Sequence, residues 1–305
     1  MTLRAKFVVL VSSFTVLGGG CGAEDPGASG DAIAEIPSAV RAEPIIHSIR
    51  LSTGVRLAYL EQGNPSGEPV IFLHGYTDSH HSFDRNLPLL SPRLHVYALD
   101  QRGHGGSEKP ACCYEPADFA ADVIAFMNAL HIHRAALVGH SMGSLIAHKV
   151  AAEHPHRFGK LVLIGSAATA VGNPVGAELE AAVDTLTDPI DPAFVRDFQA
   201  STFFRPIPPS FLDTAVAESL RVPASIWKQT LDALVGEDHS AELPAITADT
   251  LVFWGNRDIF FSAEDQARLI AVIPRATLLV YEETGHGLHV EQPARFVRDL
   301  ERFLR

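Results

Sequence analysis

The chain has 305 residues, 47% of them hydrophobic and 20% charged, with a formal net charge of −12. This composition excludes a disordered chain and suits one large α/β domain, or one domain carrying a sizeable insertion. The acidic balance has no long runs of one sign, which argues against nucleic acid, a ligand held by clustered Lys and Arg.

Residues 1–20 read as a signal peptide. Arg4 and Lys6 form a short positive region, and Phe7 to Leu17 an apolar stretch too short to persist as a membrane-spanning helix. Gly18, Gly19 and Gly20 then lead into Cys21, which resembles the lipobox of bacterial lipoproteins, whose cysteine is acylated and becomes the mature N-terminus. That family prefers a bulky aliphatic residue where Gly18 stands, so an ordinary secretory signal is the competing reading. Both readings expect a location outside the cytoplasm, and the first adds a membrane contact through a lipid on Cys21. Residues 21–44 are rich in Ala, Gly, Pro, Ser and acidic side chains without hydrophobic periodicity, and read as a flexible linker.

From residue 45 onward, short apolar runs alternate with amphipathic stretches. Strands are expected at 45–51, 55–61, 70–73, 95–99, 135–138, 161–164, 250–254 and 277–280. Runs such as Val70-Ile71-Phe72-Leu73 are apolar throughout, as strands buried on both faces of a parallel sheet must be. Helices are expected at 116–130, 142–153, 263–272 and 294–303, the first with Phe119, Val123, Phe126 and Leu130 on one face. The alternation predicts an α/β fold with ligands beyond the carboxyl ends of the strands. Residues 166–248 break the pattern with helical stretches at 177–186, 192–202, 209–221 and 224–234 and read as a helical cap. The core is then 45–165 plus 249–305, with the cap inserted after the sixth strand.

The adjacent Cys112 and Cys113 could close only a strained vicinal ring, so two thiols beside a loop are expected. No cysteine or histidine spacing suits zinc.

The segment Gly139-His140-Ser141-Met142-Gly143 is a G-x-S-x-G element between a buried strand and a helix. Its glycines permit a sharp turn that lifts the Ser141 hydroxyl to the end of the sheet. A serine needs a base, and the base needs an orienting group. Asp258 follows one C-terminal strand and His286, in Gly285-His286-Gly287, follows the next. Glu282 and Glu283 are substitutes for the acid; His289 competes as base but lacks the flanking glycines. His140 is expected to support the turn, and His80, His81, His131, His133, His154 and His156 to be surface or packing residues.

Together with His74-Gly75-Tyr76 and Asp100-Gln101-Arg102-Gly103-His104-Gly105-Gly106-Ser107, these motifs resemble the α/β-hydrolase superfamily in its esterase, lactonase and non-haem perhydrolase branch, over roughly residues 45–305. The resemblance implies an α/β-hydrolase fold and a Ser141-His286-Asp258 triad. It also implies an oxyanion hole from the backbone amides of Tyr76 and Met142, and a structural role for the Asp100–Ser107 segment. It implies hydrolysis of a small-molecule carboxylic ester or lactone without metal or organic cofactor. Serine at position 141 disfavours haloalkane dehalogenases and epoxide hydrolases, which use aspartate there. Amide or C–C bond hydrolysis and acyl transfer remain open on the same triad, as does an inactive binding protein. The aromatic cap, with Phe194, Phe198, Phe203, Phe204, Phe211 and Trp227, favours an apolar substrate.

Overall fold

The computed structural model describes residues 44–305, so the predicted signal, Cys21 and the linker up to residue 43 lie outside the described residues. Among the described residues one sheet contains β1 (Ile45–Arg50), β2 (Arg56–Gly63), β3 (Pro69–Leu73), β4 (His95–Asp100), β5 (Ala135–His140), β6 (Phe158–Ile164), β7 (Asp249–Gly255) and β8 (Ala276–Tyr281). Their order is β1-β2-β4-β3-β5-β6-β7-β8; β1–β2 and β2–β4 are antiparallel and the remaining pairs parallel.

The apolar runs have a direct structural cause. Val70 and Phe72 of β3 enter one core with Val138, Val162 and Ile164, while Ile71 and Leu73 enter the other with Leu137, Leu161 and Leu163. Alternate side chains point to opposite faces, and both faces are covered, so no polar residue can be spared. The Leu137 face packs against α1 (Pro116–Ala129) and α2 (Met142–Glu153) through Phe119, Val123, Phe126, Ile146 and Val150.

Between β6 and β7 lies the helical insertion: α3 (Pro174–Val183), α4 (Pro192–Ser201), α5 (Pro209–Leu220) and α6 (Ala224–Gly236). The first of these starts earlier than the predicted 177 because Asn173 caps it, accepting from the Gly176 amide at 2.9 Å. Pro174 fits the first helical position, where no N–H is needed. On the Leu137 face, α7 (Ala263–Val272) adds Leu269 to the same core, while on the other face α8 (Leu288–Glu291) is followed by α9 (Pro293–Leu304). In α9, Phe296, Val297, Leu300 and Leu304 seal the Val70 core.

Contrary to the expected pair of thiols, Cys112 and Cys113 are joined as a vicinal disulfide. Their adjacency already brings the sulfurs within reach, and Cys113 takes a positive φ of 76° beside the turn that leads into α1.

Candidate active site

Ser141 sits at the tip of the turn from β5 into α2 with φ 52° and ψ −120°, a conformation that non-glycine residues rarely adopt. The close packing around it explains the two glycines. A Cβ on Gly139 would stand 2.2 Å from the Gly143 carbonyl oxygen, and one on Gly143 would stand 2.3 Å from that of Leu73. The turn is fixed by Ser141 N donating to Ile164 O at 2.9 Å, and by Ser144 Oγ donating to Ser141 O at 2.6 Å.

His286 and Asp258 follow the neighbouring strands β8 and β7. His286 Nδ1 lies 2.8 Å from Asp258 Oδ2, and both side chains are buried. The other carboxylate oxygen accepts from the amides of Phe260 at 2.8 Å and Phe261 at 3.2 Å. With Nδ1–H donating to a carboxylate, the neutral ring keeps Nε2 as acceptor. Gly165, at φ 55°, forms the floor, since a Cβ there would be 2.8 Å from the ring. The alternative acids are engaged elsewhere: Glu283 with Arg257 at 2.7 Å and Glu282 with Asn256. His289 does not reach Asp258; it packs 4.4 Å from the His140 ring, and burial followed by His286 holds it down to about 3. His140 is likewise held well below the ordinary imidazole value, by burial and then by His289 and His286.

Gly75 and Asp78 close a turn (Asp78 N to Gly75 O, 3.2 Å) whose second residue is Tyr76. This turn abuts the serine, because a Cβ on Gly75 would be 3.3 Å from Ser141 Cβ. The Tyr76 hydroxyl donates to the Trp227 carbonyl at 2.7 Å, tying the turn to the cap. Met142 is the first residue of α2, where amides have no intrahelical acceptor. Tyr76 and Met142, the residues predicted for the oxyanion hole, line the same cavity as Ser141. Behind them Asp100 accepts from the amides of His80 at 2.8 Å and Gly106 at 2.7 Å and from His80 Nδ1 at 2.7 Å, so this carboxylate is occupied in shaping its loop.

Tyr76, Ser141, Met142 and His286 open onto one cavity walled by cap residues such as Phe198, Phe203, Phe211, Leu231 and Leu234. Trp227 instead forms the cap core, 5.6 Å from Phe198, and Phe204 is exposed. Among the described residues, no Lys or Arg lines the cavity. Asp78 and Gln199, absent from the sequence-based expectations, also line it, and Gln199 Nε2 donates to Asp78 Oδ1 at 3.1 Å. The signal for Asp78 was its position two residues past Tyr76; Gln199 had none, being 121 positions away. Among the described residues, no group of three or more His, Cys, Asp or Glu could hold a metal ion.

A family model described as alpha/beta hydrolase fold matches residues 68–293. The chain is 29% identical over 270 residues to a 2-hydroxymuconate semialdehyde hydrolase of Pseudomonas sp. (strain CF600), covering 83% of this chain and 92% of that protein. It is 28% identical over 277 residues to a non-heme chloroperoxidase of Streptomyces lividans, covering 85% and 99%. Among solved structures, an esterase (EaEST) from Exiguobacterium antarcticum matches with a TM-score of 0.78 at 26% identity, over 85% of this chain and 99% of that one.

Proposed function

The chain belongs to the α/β-hydrolase family, and from that premise we propose that it cleaves a small or medium carboxylic ester or lactone through an acyl-enzyme on Ser141. The observation that carries this reading is the 2.8 Å contact between His286 Nδ1 and Asp258, which leaves Nε2 to serve the serine. Ser141 Oγ attacks the carbonyl carbon while its proton passes to His286 Nε2. The amides of Tyr76 and Met142 receive the negative oxygen, a contribution of about 3 kcal/mol per donor in sites of this kind. Collapse expels the alcohol with the proton from His286, and water then repeats the sequence to release the acid.

Amide and C–C bond cleavage could use the same residues. A cavity with no Lys or Arg among the described residues favours an ester with no carboxylate of its own, because a buried anion needs a partner. The test is labelling by a fluorophosphonate together with hydrolysis of short-chain nitrophenyl esters. Both are expected in the wild type and absent in folded Ser141→Ala; an unreactive wild type would leave a binding protein. The same proposal includes export and a lipid anchor at Cys21, supported by the N-terminal sequence. Lipid labelling lost on Cys21→Ser is the expected result, and release of unlipidated wild type would leave the secretory reading.

A further inference from the structure

Asp78 belongs to the loop after β3, outside the cap whose composition favours an uncharged substrate. Its side chain lines the cavity that holds Ser141 and His286. Its hydrogen-bonding partners are neutral: Ser82 Oγ at 3.2 Å and Gln199 Nε2 at 3.1 Å, the latter fixed by a second bond to Ser219 Oγ at 2.8 Å.

We propose that the wall around Asp78 is a subsite for an ammonium group, so that the favoured ester carries a positively charged amine away from its scissile carbonyl. The inference rests on the hydrolase reading of the same cavity and names the substrate class. A carboxylate among apolar side chains with only neutral donors is costly to keep ionised, and an incoming cation offsets that cost. Phe211 walls both this cavity and the small cleft behind it, each shared with Asp78 and Ser82. An aromatic ring beside a carboxylate suits an ammonium ion, which is drawn to ring faces as well as to anions. An anionic substrate would meet the opposite field.

The charged groups around Asp78 are committed elsewhere. On the turn that carries Ser82, His80 bonds Asp100 and His81 bonds Asp84, both at 2.7 Å. On α5, Glu218 pairs with Arg221 at 2.8 Å. Following β8, His286 bonds Asp258, and His289 is neutral above pH about 3. Burial pushes Asp78 up to about 6, against the pull of Ser82, Gln199 and His286, with Glu218 adding to the rise. Asp78 is therefore mostly ionised at neutral pH and protonated below about 6, so affinity for a cation falls as the solution is acidified.

Calorimetry with phenyltrimethylammonium on the full chain tests this without turnover. Binding to the wild type is expected at pH 7.5, weaker by about tenfold in Asp78→Asn and largely regained in Asp78→Glu. A fall in affinity between pH 7.5 and 5, retained in both His81→Gln and His286→Ala so that neither neighbouring imidazole is its source, carries the test even if Asp78→Asn does not fold. No binding by the wild type, or equal binding by Asp78→Asn, overturns the subsite. Fluorophosphonate labelling of Ser141 is read separately, so failure of the subsite and failure of the hydrolase reading are distinguishable.

Discussion

Asp258 holds His286 with one carboxylate oxygen, 2.8 Å from Nδ1, while its other oxygen is held by the amides of Phe260 and Phe261. The acid is thus fixed before it fixes the imidazole. Asp258→Asn should cost about four orders of magnitude in kcat through loss of the correct tautomer. Glu282→Gln and Glu283→Gln should stay within about threefold of wild type, since these exposed side chains bond Asn256 and Arg257 instead. Steady-state kinetics on a nitrophenyl ester decide it; a large loss in Glu283→Gln with little in Asp258→Asn would reassign the acid.

The two histidines of the last loop should separate cleanly. His286→Ala is expected to abolish ester hydrolysis in a folded protein. His289→Ala removes a buried ring packed on Phe83, His140 and Phe296. It should lower stability by about 2–4 kcal/mol while catalysis persists at low temperature. Urea unfolding and activity measured on both variants would expose the reverse pattern.

Gly143→Ala should be among the most damaging single-methyl additions. The new Cβ would lie 2.3 Å from the Leu73 carbonyl oxygen and 2.6 Å from that of His74, both main-chain atoms that cannot swing aside. The serine turn and the loop leading to Tyr76 would be forced apart, at about 2 kcal/mol or more. A Gly143→Ala protein of wild-type melting temperature and activity would refute this account of the turn.

Stability should fall in mild acid. Burial is the leading cause that holds His74 to about 4, His104 to about 3 and His289 to about 3. Their folded values lie below the unfolded one, so the fold favours the neutral rings. That contribution is complete above about pH 6.5 and is lost as pH falls below it, by about 2 kcal/mol per residue at pH 5. His81, raised by its bond to Asp84, acts in the opposite sense but is partly exposed and counts for less. Asp100 opposes its own burial through His80 and sits at about 2, so its loss begins only near pH 4. Equal urea midpoints at pH 7 and pH 5 would contradict the histidine origin.

What the sequence by itself determined was local. An unbroken apolar run such as Leu161–Ile164 has one economical outcome, a strand covered on both faces. Gly139 and Gly143 around Ser141 mark a turn that larger side chains cannot make. Helix ends were less legible, as at Pro174, because a cap depends on one side chain's rotamer rather than on a period. The tertiary structure decided the long-range choices. Asp258, Glu282 and Glu283 are all carboxylates in loops near His286 in the chain or the sheet; the pairing of β7 with β8 and the Phe260 and Phe261 amides aim only Asp258 at the ring. Asp78 and Gln199 meet across 121 positions because the cap folds back over the loop after β3. Periodicity is written between neighbours in sequence, whereas such contacts depend on which strands lie side by side and on how the insertion closes over them.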